Sequence, residues 1–507
     1  MGLDYHAGQV PSLWTSLVLI FTCGILVRKV AGVLYMLYYH PLAKFPGPRF
    51  AAISNIPFCY WFLSGRQPFT ILSLHEKYGP VVRVAPNELS FNSAQSWKDI
   101  YASRPKHRPF IKSAFYDGGS FAERGVHSIV SERNVDKHAQ MRYYLSYAFS
   151  DRSLAEQEDL INETINKFVS ILGSRGSRST GYDISKGYEM ATFDIIGALA
   201  FGESFGGVES DQPHIWISVT LGALVQGALV EVFKRFMTLG KVLAFLLRSH
   251  IKKLVQDTST NEQMAIDLVN RRIKRENARH DFMTRILERR DPKEVSDLQL
   301  AAHASDFVLA GSETTATALS TVTYYLLKTP PIMKMLSEEI RGAFQKYEDI
   351  TDRSTQRLPY LRAVILEGMR MYPPLPFPLP RVVPEGGDTV DGHHLPGGTI
   401  VSTNPLAASL DARNFKDPLV FKPERWLDAN LEDVTEASQP FSLGPRGCLG
   451  RSLGWLELRT ILCKVLWTYD LEMVDESLQW HRDSQMHTLW RKPELRVKVK
   501  NRGVDVF

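Results

Sequence analysis

From Ser296 to Thr329 the chain carries no proline, and its boundaries are written at both ends. Ser296-x-x-Gln299 is a capping-box start, and Thr329-Pro330-Pro331 is a stop. Apolar residues recur on nearly every side of the stretch, the signature of a helix buried through the centre of a protein rather than laid on its surface. A rod buried all round needs a large body to wrap it. The 507 residues are 44% hydrophobic and 23% charged, ordinary globular composition that supplies such a body. Length alone suggests about three domains. However, the body of the chain has no Pro/Gly/Ser-rich linker, low-complexity run or internal repeat, so one multihelical unit is expected.

The middle of this helix reads Ala310-Gly311-Ser312-Glu313-Thr314-Thr315. An acid beside alcohols in a buried helix is costly without a purpose. Gly311 lowers helix propensity, and Thr314 can turn its hydroxyl to the carbonyl one turn back. The expected result is a locally loosened helix with room for a small ligand and water.

A second stretch carries the chemistry. Phe441 to Arg451 reads Phe-Ser-Leu-Gly-Pro-Arg-Gly-Cys-Leu-Gly-Arg. A cysteine that holds a metal as thiolate needs backbone donors near its sulfur, and Gly444 and Gly447 allow the bends that aim them there. Gly450 lets the following helix pass close to a flat ligand, and Arg446 can pair with a carboxylate on that ligand's rim.

This stretch resembles the haem-binding loop of the cytochrome P450 monooxygenases, Phe-x-x-Gly-x-Arg-x-Cys-x-Gly. It matches at each fixed position: Phe441, Gly444, Arg446, Cys448 and Gly450. The resemblance covers nearly the whole chain after residue 40. It implies a mainly α, multihelical fold with a small β-rich subdomain, and a haem b (iron protoporphyrin IX) held by the Cys448 thiolate. It further implies Glu313 and Thr314 as the acid–alcohol pair of oxygen activation, with Glu313 relaying protons from solvent. Propionate partners would be Arg446, Arg381, Arg142 and His138, the last standing where family members often have Trp. Glu367, Arg370 and Arg425 match a buried charged triad. Phe115, Tyr116, Ile129, Phe307, Ala310, Phe377, Leu379 and Thr488 are the expected substrate-pocket residues, several of them in the aperiodic 104–133 loop or the Pro373–Pro380 run.

The amino-terminal run Leu13 to Val27 is apolar, followed by Arg28 and Lys29 and then a second apolar run, Val30 to Tyr39. Asp4 and the lack of Lys or Arg in the first twelve residues argue for an uncleaved anchor rather than a signal peptide. The basic pair places the body in the cytosol. The expected organisation is an anchor over 1–39, a Pro-rich hinge over 40–50 and a catalytic domain over 51–507. Together with the resemblance this implies a single-pass protein of the endoplasmic reticulum membrane.

No stretch resembles a fused flavin or iron–sulfur module. The implied electron source is therefore a separate NADPH-cytochrome P450 reductase, with cytochrome b5 as accessory donor and O2 as co-substrate. Lys137, Arg413 and Lys422 are the expected basic contacts for the reductase. Net charge is only +5, with no basic stripe, so nucleic acid is not an expected partner. His40-Pro41-Leu42 and Pro384-Glu385-Gly386-Gly387 are similar to the fungal branch that modifies terpenoids and polyketides, including isotrichodermin hydroxylase-type enzymes. That resemblance implies an apolar small-molecule substrate. Two other readings of the same loop are a haem-thiolate isomerase or dehydratase working without O2, and a non-enzymatic haem sensor.

Overall fold

The structure is a computed structural model. It describes residues 13–504 apart from 119, 237–239, 241, 243–244, 276–280 and 429–431. Its axis is the helix Asp297–Lys328, whose Ser296 hydroxyl accepts the Gln299 N–H at 3.1 Å. Around it pack the helices Ile184–Phe201, Arg248–Ile273, Pro359–Met371 and Arg451–Thr468. The rod is buried on most of its faces, as its all-round apolar pattern requires. The helix Ile184–Phe201 comes especially close. A Cβ on Gly311 would stand 3.1 Å from Ile196, so glycine is what permits this approach. The Thr192 hydroxyl donates to the Ser312 carbonyl at 3.0 Å across the same seam. The expected loosening does not occur, because the rod stays α-helical through Gly311 to Thr315. Thr314 does turn its hydroxyl back onto the Ala310 carbonyl, at 2.6 Å, without breaking the ladder.

Of the four small sheets among the described residues, the two larger flank the helices. In the first, the antiparallel pair Val81–Ala85 and Glu88–Phe91 continues through Ile400–Thr403 and Arg381–Val382 to Ile111–Lys112. Register places Lys112 opposite Arg381 at its last edge. The second joins Tyr182–Asp183, Arg496–Asn501 and Tyr469–Met473. Val497 and Val499 face inward there while Arg496, Lys498 and Lys500 face solvent, the alternation that marks a half-buried strand.

At the amino end the helix Leu13–Leu34 is exposed along most of its length and continues into a π-helical turn, Tyr35–Tyr39. The two apolar runs are thus one helix with Arg28 and Lys29 inside it. Residues Trp14–Tyr39 are long and apolar enough to cross a membrane by length and composition. The junction between this helix and the body is held firmly. The buried Arg83 donates to the Met36 carbonyl at 2.9 Å, contacts His40 Nδ1 at 3.2 Å, and donates twice to the Pro86 carbonyl. The helix Ile215–Arg235 also has the length and composition of a span. It packs on Arg248–Ile273, and its buried Trp216 donates to Asn261 Oδ1 at 2.6 Å, which marks it as part of the body. The apolar run 236–247 lies partly outside the described residues; Val242, Phe245, Leu246 and Leu247 are exposed.

In the helix Pro359–Met371, Arg370 makes a two-pronged ion pair with Glu367, both bonds 2.8 Å, and both side chains are fully buried. Arg425 reaches Glu367 at 3.3 Å and pairs with Asp433 at 2.8 Å, while the Trp426 indole donates to Glu367 at 3.0 Å. The expected triad therefore has a fourth charged member, Asp433. Without it the guanidinium of Arg425 would have to share one carboxylate with Arg370.

Candidate functional site

Cys448 opens onto an internal cavity of about 320 Å3 lying between the central helix and the helix Arg451–Thr468. The loop that presents the cysteine is held by backbone bonds. Cys448 N–H donates to the Phe441 carbonyl at 2.8 Å and Gly447 N–H to the Gly444 carbonyl at 2.9 Å. Ser442 and Gly444 adopt left-handed φ values of 57° and 70°. A Cβ on Gly444 would collide with the Tyr101 carbonyl, so the position demands glycine. Burial pushes the Cys448 thiol up, and the Gly450 N–H with the charges of Arg142 and Arg451 works in the other direction. Burial wins, so these surroundings hold the neutral thiol until a metal cation adds its own charge.

Of the residues expected from the sequence, Thr314, Arg446, Arg142, His138, Arg381, Phe441, Gly450, Tyr116, Ile129, Phe307, Ala310 and Leu379 all line this same cavity. Residues 307, 310, 311, 314 and 318 present one face of the central helix to it, opposite Leu375 and Leu379 of the proline-rich run. The lining near Thr314 is apolar, with Ile196, Ala318 and Met369 contributing.

One end of the cavity is charged. Arg142 donates to the Gly447 carbonyl at 2.7 Å, and Arg446 to the carbonyls of Glu132 and Arg133 at 2.7 and 3.0 Å. Arg381 donates to the Leu379 and Pro380 carbonyls at 3.3 and 3.2 Å. Lys112, which no sequence motif marks, donates to the Ile129 and Val130 carbonyls at 3.0 and 2.6 Å. Among the described residues these four cations make no ion pair. Burial, then the Arg381 charge, lowers Arg446 to about 10. Burial, then Arg446 and Arg381, holds Lys112 well below its usual range. His138 is lowered to about 3 by burial and by Arg446, Lys112, Arg142 and Arg381. These cations outnumber the carboxylates near them, Glu132 and Asp306, and so favour an anion from outside the chain.

These observations test the fit of a haem. Its flat ring needs a cleft between two helices, its iron a soft ligand, and its two propionates a cluster of cations. The cavity supplies Cys448 on one wall and the Arg142, Arg381, Arg446, Lys112 and His138 cluster at one end, so the residues fit the group.

Several expected residues lie elsewhere. Glu313 is buried beside the cavity but outside its lining. Its carboxylate lies 2.8 Å from the buried Lys492 ammonium, which also lies 2.7 Å from Glu189. Phe115, Phe377 and Thr488 do not line the cavity. Phe377 is buried in the core away from this cavity, stacked on Phe115 at 4.5 Å and meeting Phe62 at 5.7 Å. Thr488 is spent on the tight turn between Gln485–His487 and Leu489–Arg491, with φ of 75°. Arg413 is paired with Asp411 and donates to the His75 carbonyl, so much of its charge is already committed, whereas Lys137 and Lys422 are exposed.

The roof of the cavity was not legible either. The Ile129 N–H donates to His303 Nδ1 at 3.0 Å and the Val130 N–H to Asp306 Oδ2 at 3.3 Å. The Tyr144 hydroxyl lies 2.6 Å from the other ring nitrogen of His303. With Lys112 on their carbonyls, all four backbone groups of Ile129 and Val130 end on side chains rather than on a neighbouring strand.

Residues 48–499 match the family described as Cytochrome P450. The chain is 54% identical over 455 residues to Cytochrome P450 monooxygenase ORF11 of Penicillium roqueforti, which covers 90% of this chain and 94% of that protein. It is 42% identical over 476 residues to Cytochrome P450 monooxygenase BipB of Cochliobolus sativus, covering 92% and 94%. With Cytochrome P450 monooxygenase ORF9 of Penicillium roqueforti it shares 41% over 503 residues, covering 98% and 96%.

Proposed function

The chain belongs to the cytochrome P450 monooxygenases, and from that premise we propose that it inserts one atom of O2 into an apolar, terpenoid- or polyketide-like secondary metabolite. The observation that carries the reading is the meeting of Cys448, Thr314 and an anion-seeking cation cluster on one cavity. Bound haem would supply oxygen activation, which a thiolate ligand favours by donating electron density. The chain's part is to hold, orient and protonate. Cys448 would ligate the iron, and Arg142, Arg381, Arg446, Lys112 and His138 would hold the propionates. The Thr314 hydroxyl, open to the cavity, would give a proton there and be resupplied by way of Glu313. The apolar lining around Phe307, Ala310 and Ile196 would exclude bulk water and orient the substrate.

Electrons would come from NADPH through a separate reductase, assisted by cytochrome b5, with the exposed Lys137 and Lys422 as basic contacts. The exposed apolar helix Leu13–Leu34 supports a single-pass anchor in the endoplasmic reticulum membrane, with the body in the cytosol. The test is expression beside a reductase in a host fed extracts of the native source. The proposal expects NADPH-dependent oxygen uptake and a product heavier by one oxygen. Turnover that needs neither NADPH nor oxygen would favour the isomerase reading instead.

A further inference from the structure

Two acids on the cavity lining, Asp306 and Glu457, are used by neither oxygen activation nor haem binding, and Asp306 is the one carried by the central helix. Asp306 is half-buried and lines the cavity. Its partners are few. The Val130 N–H reaches Oδ2 at a long 3.3 Å, and the Ser128 side chain provides a second hydrogen bond. Among the described residues it makes no ion pair. An ionised carboxylate accepts at about four sites, so roughly half its capacity is left over on a cavity whose lining also includes Ile129, Phe307 and Ala310. Leaving that capacity unmet is costly in such surroundings. The carboxylate also has a fixed place relative to the chemistry. It stands eight residues before Thr314 on the same helical face, roughly 12 Å away along the axis.

We propose that Asp306 anchors the substrate by accepting a hydrogen bond from an alcohol on an otherwise apolar molecule, so that the carbon presented near Thr314 lies at the opposite end. This rests on the monooxygenase reading above and adds a substrate class to it. The alternatives are disfavoured by the surroundings. A ketone or ether would set its lone pairs against a carboxylate. An ammonium would meet the field of Lys112, which bears on Asp306 directly, and of Arg381 and Arg446 behind it. A substrate bearing that alcohol is already oxygenated. The step before this one is therefore a hydroxylation, or a cyclisation terminated by water.

The experiment uses the full-length haem-loaded protein in detergent and measures binding by calorimetry, without turnover. The probes share one rigid apolar cage: 1-adamantanol, 1-methoxyadamantane and 1-adamantylamine. A hydrogen bond to a charged group predicts that wild type binds the alcohol about tenfold or more tighter than the ether. Asp306→Leu should bring that ratio below about threefold, and Asp306→Asn, which keeps an acceptor for the Val130 N–H, should give an intermediate ratio. Equal affinity for alcohol and ether in wild type, or an unchanged ratio in Asp306→Leu, would overturn the anchor. Tighter binding of the amine than of the alcohol would overturn the assignment to an alcohol. The reduced carbon monoxide spectrum of each sample separates the two claims. A thiolate-type band without alcohol preference removes the anchor alone, and loss of the band in wild type removes the monooxygenase reading beneath it.

Discussion

The Lys492 ammonium stands 2.8 Å from a carboxylate oxygen of Glu313, and only 3% of the lysine side chain is exposed. Burial works against its charge, but the carboxylates of Glu189 and Glu313 outweigh it and hold Lys492 protonated. Burial raises Glu313, with Lys492 opposing and Glu189 adding to the rise. The acid of the acid–alcohol pair is therefore set in a three-charge cluster built from two helices and the carboxyl-terminal segment. Removing the one cation would leave two carboxylates facing each other.

Lys492→Met should accordingly cost about 3–5 kcal/mol, the range for breaking a buried ion pair on one side. Adding Glu313→Gln to that variant should recover part of the loss. Denaturant unfolding of the two variants checks this, and a double variant no more stable than the single would show that Lys492 contributes by packing.

Thr314→Ala should leave substrate affinity near the wild-type value while product formed per NADPH falls by tenfold to about a hundredfold. Peroxide should rise as product falls. Thr314→Ser, which keeps the hydroxyl, should retain most of the coupling. Product, NADPH and peroxide counted in the same reaction check the pattern.

Arg370→Met should destabilise the fold by about 3–5 kcal/mol, because Glu367 would lose its two-pronged partner in a fully buried site. The variant should also load less haem, since Arg370 holds the Pro418 and Val420 carbonyls in the chain that leads toward the cysteine loop. Haem absorbance per unit protein and the unfolding midpoint together check both effects.

Asp306 carries a pH dependence. Burial raises its carboxyl to about 6, opposed by its bonds to Ser128 and Val130 and by the Lys112 charge. A folded-state value above the unfolded one means that the native state binds the extra proton. Stability from this group is thus present below about pH 4 and is lost as pH rises through about 6. At 1.36 kcal/mol per pH unit the loss is about 3 kcal/mol. Asp306→Asn should flatten the stability profile between pH 4 and 6, as measured by unfolding at several pH values.

The central helix and the cysteine loop were legible because their determinants are local: a cap, a proline stop, and glycines spaced about a cysteine. Arg142, Arg381 and Arg446 on the cavity followed for a related reason, each lying inside or next to a recognisable motif. Lys112, Asp306, Lys492 and Asp433 were not legible. Each meets its partner only through tertiary packing, and a charged residue in a strand or loop gives no sign that it will be buried. The proline-rich run misled about Phe377 because prolines fix an extended backbone without fixing which side chains turn toward the cavity. Arg28 and Lys29 left open whether the second apolar run continues the helix or lies along the surface; it continues the helix to Tyr39, since a basic pair costs a helix little where it is exposed.

The most direct test of the account is the absorption spectrum of the reduced, carbon monoxide-bound protein, wild type beside Cys448→Ala. Wild type should show the shifted Soret band of a haem-thiolate, and the variant should lose it while the described fold survives by circular dichroism. A variant that keeps both the band and activity, or a wild-type protein that stays colourless when supplied with haem, would contradict the assignment of Cys448.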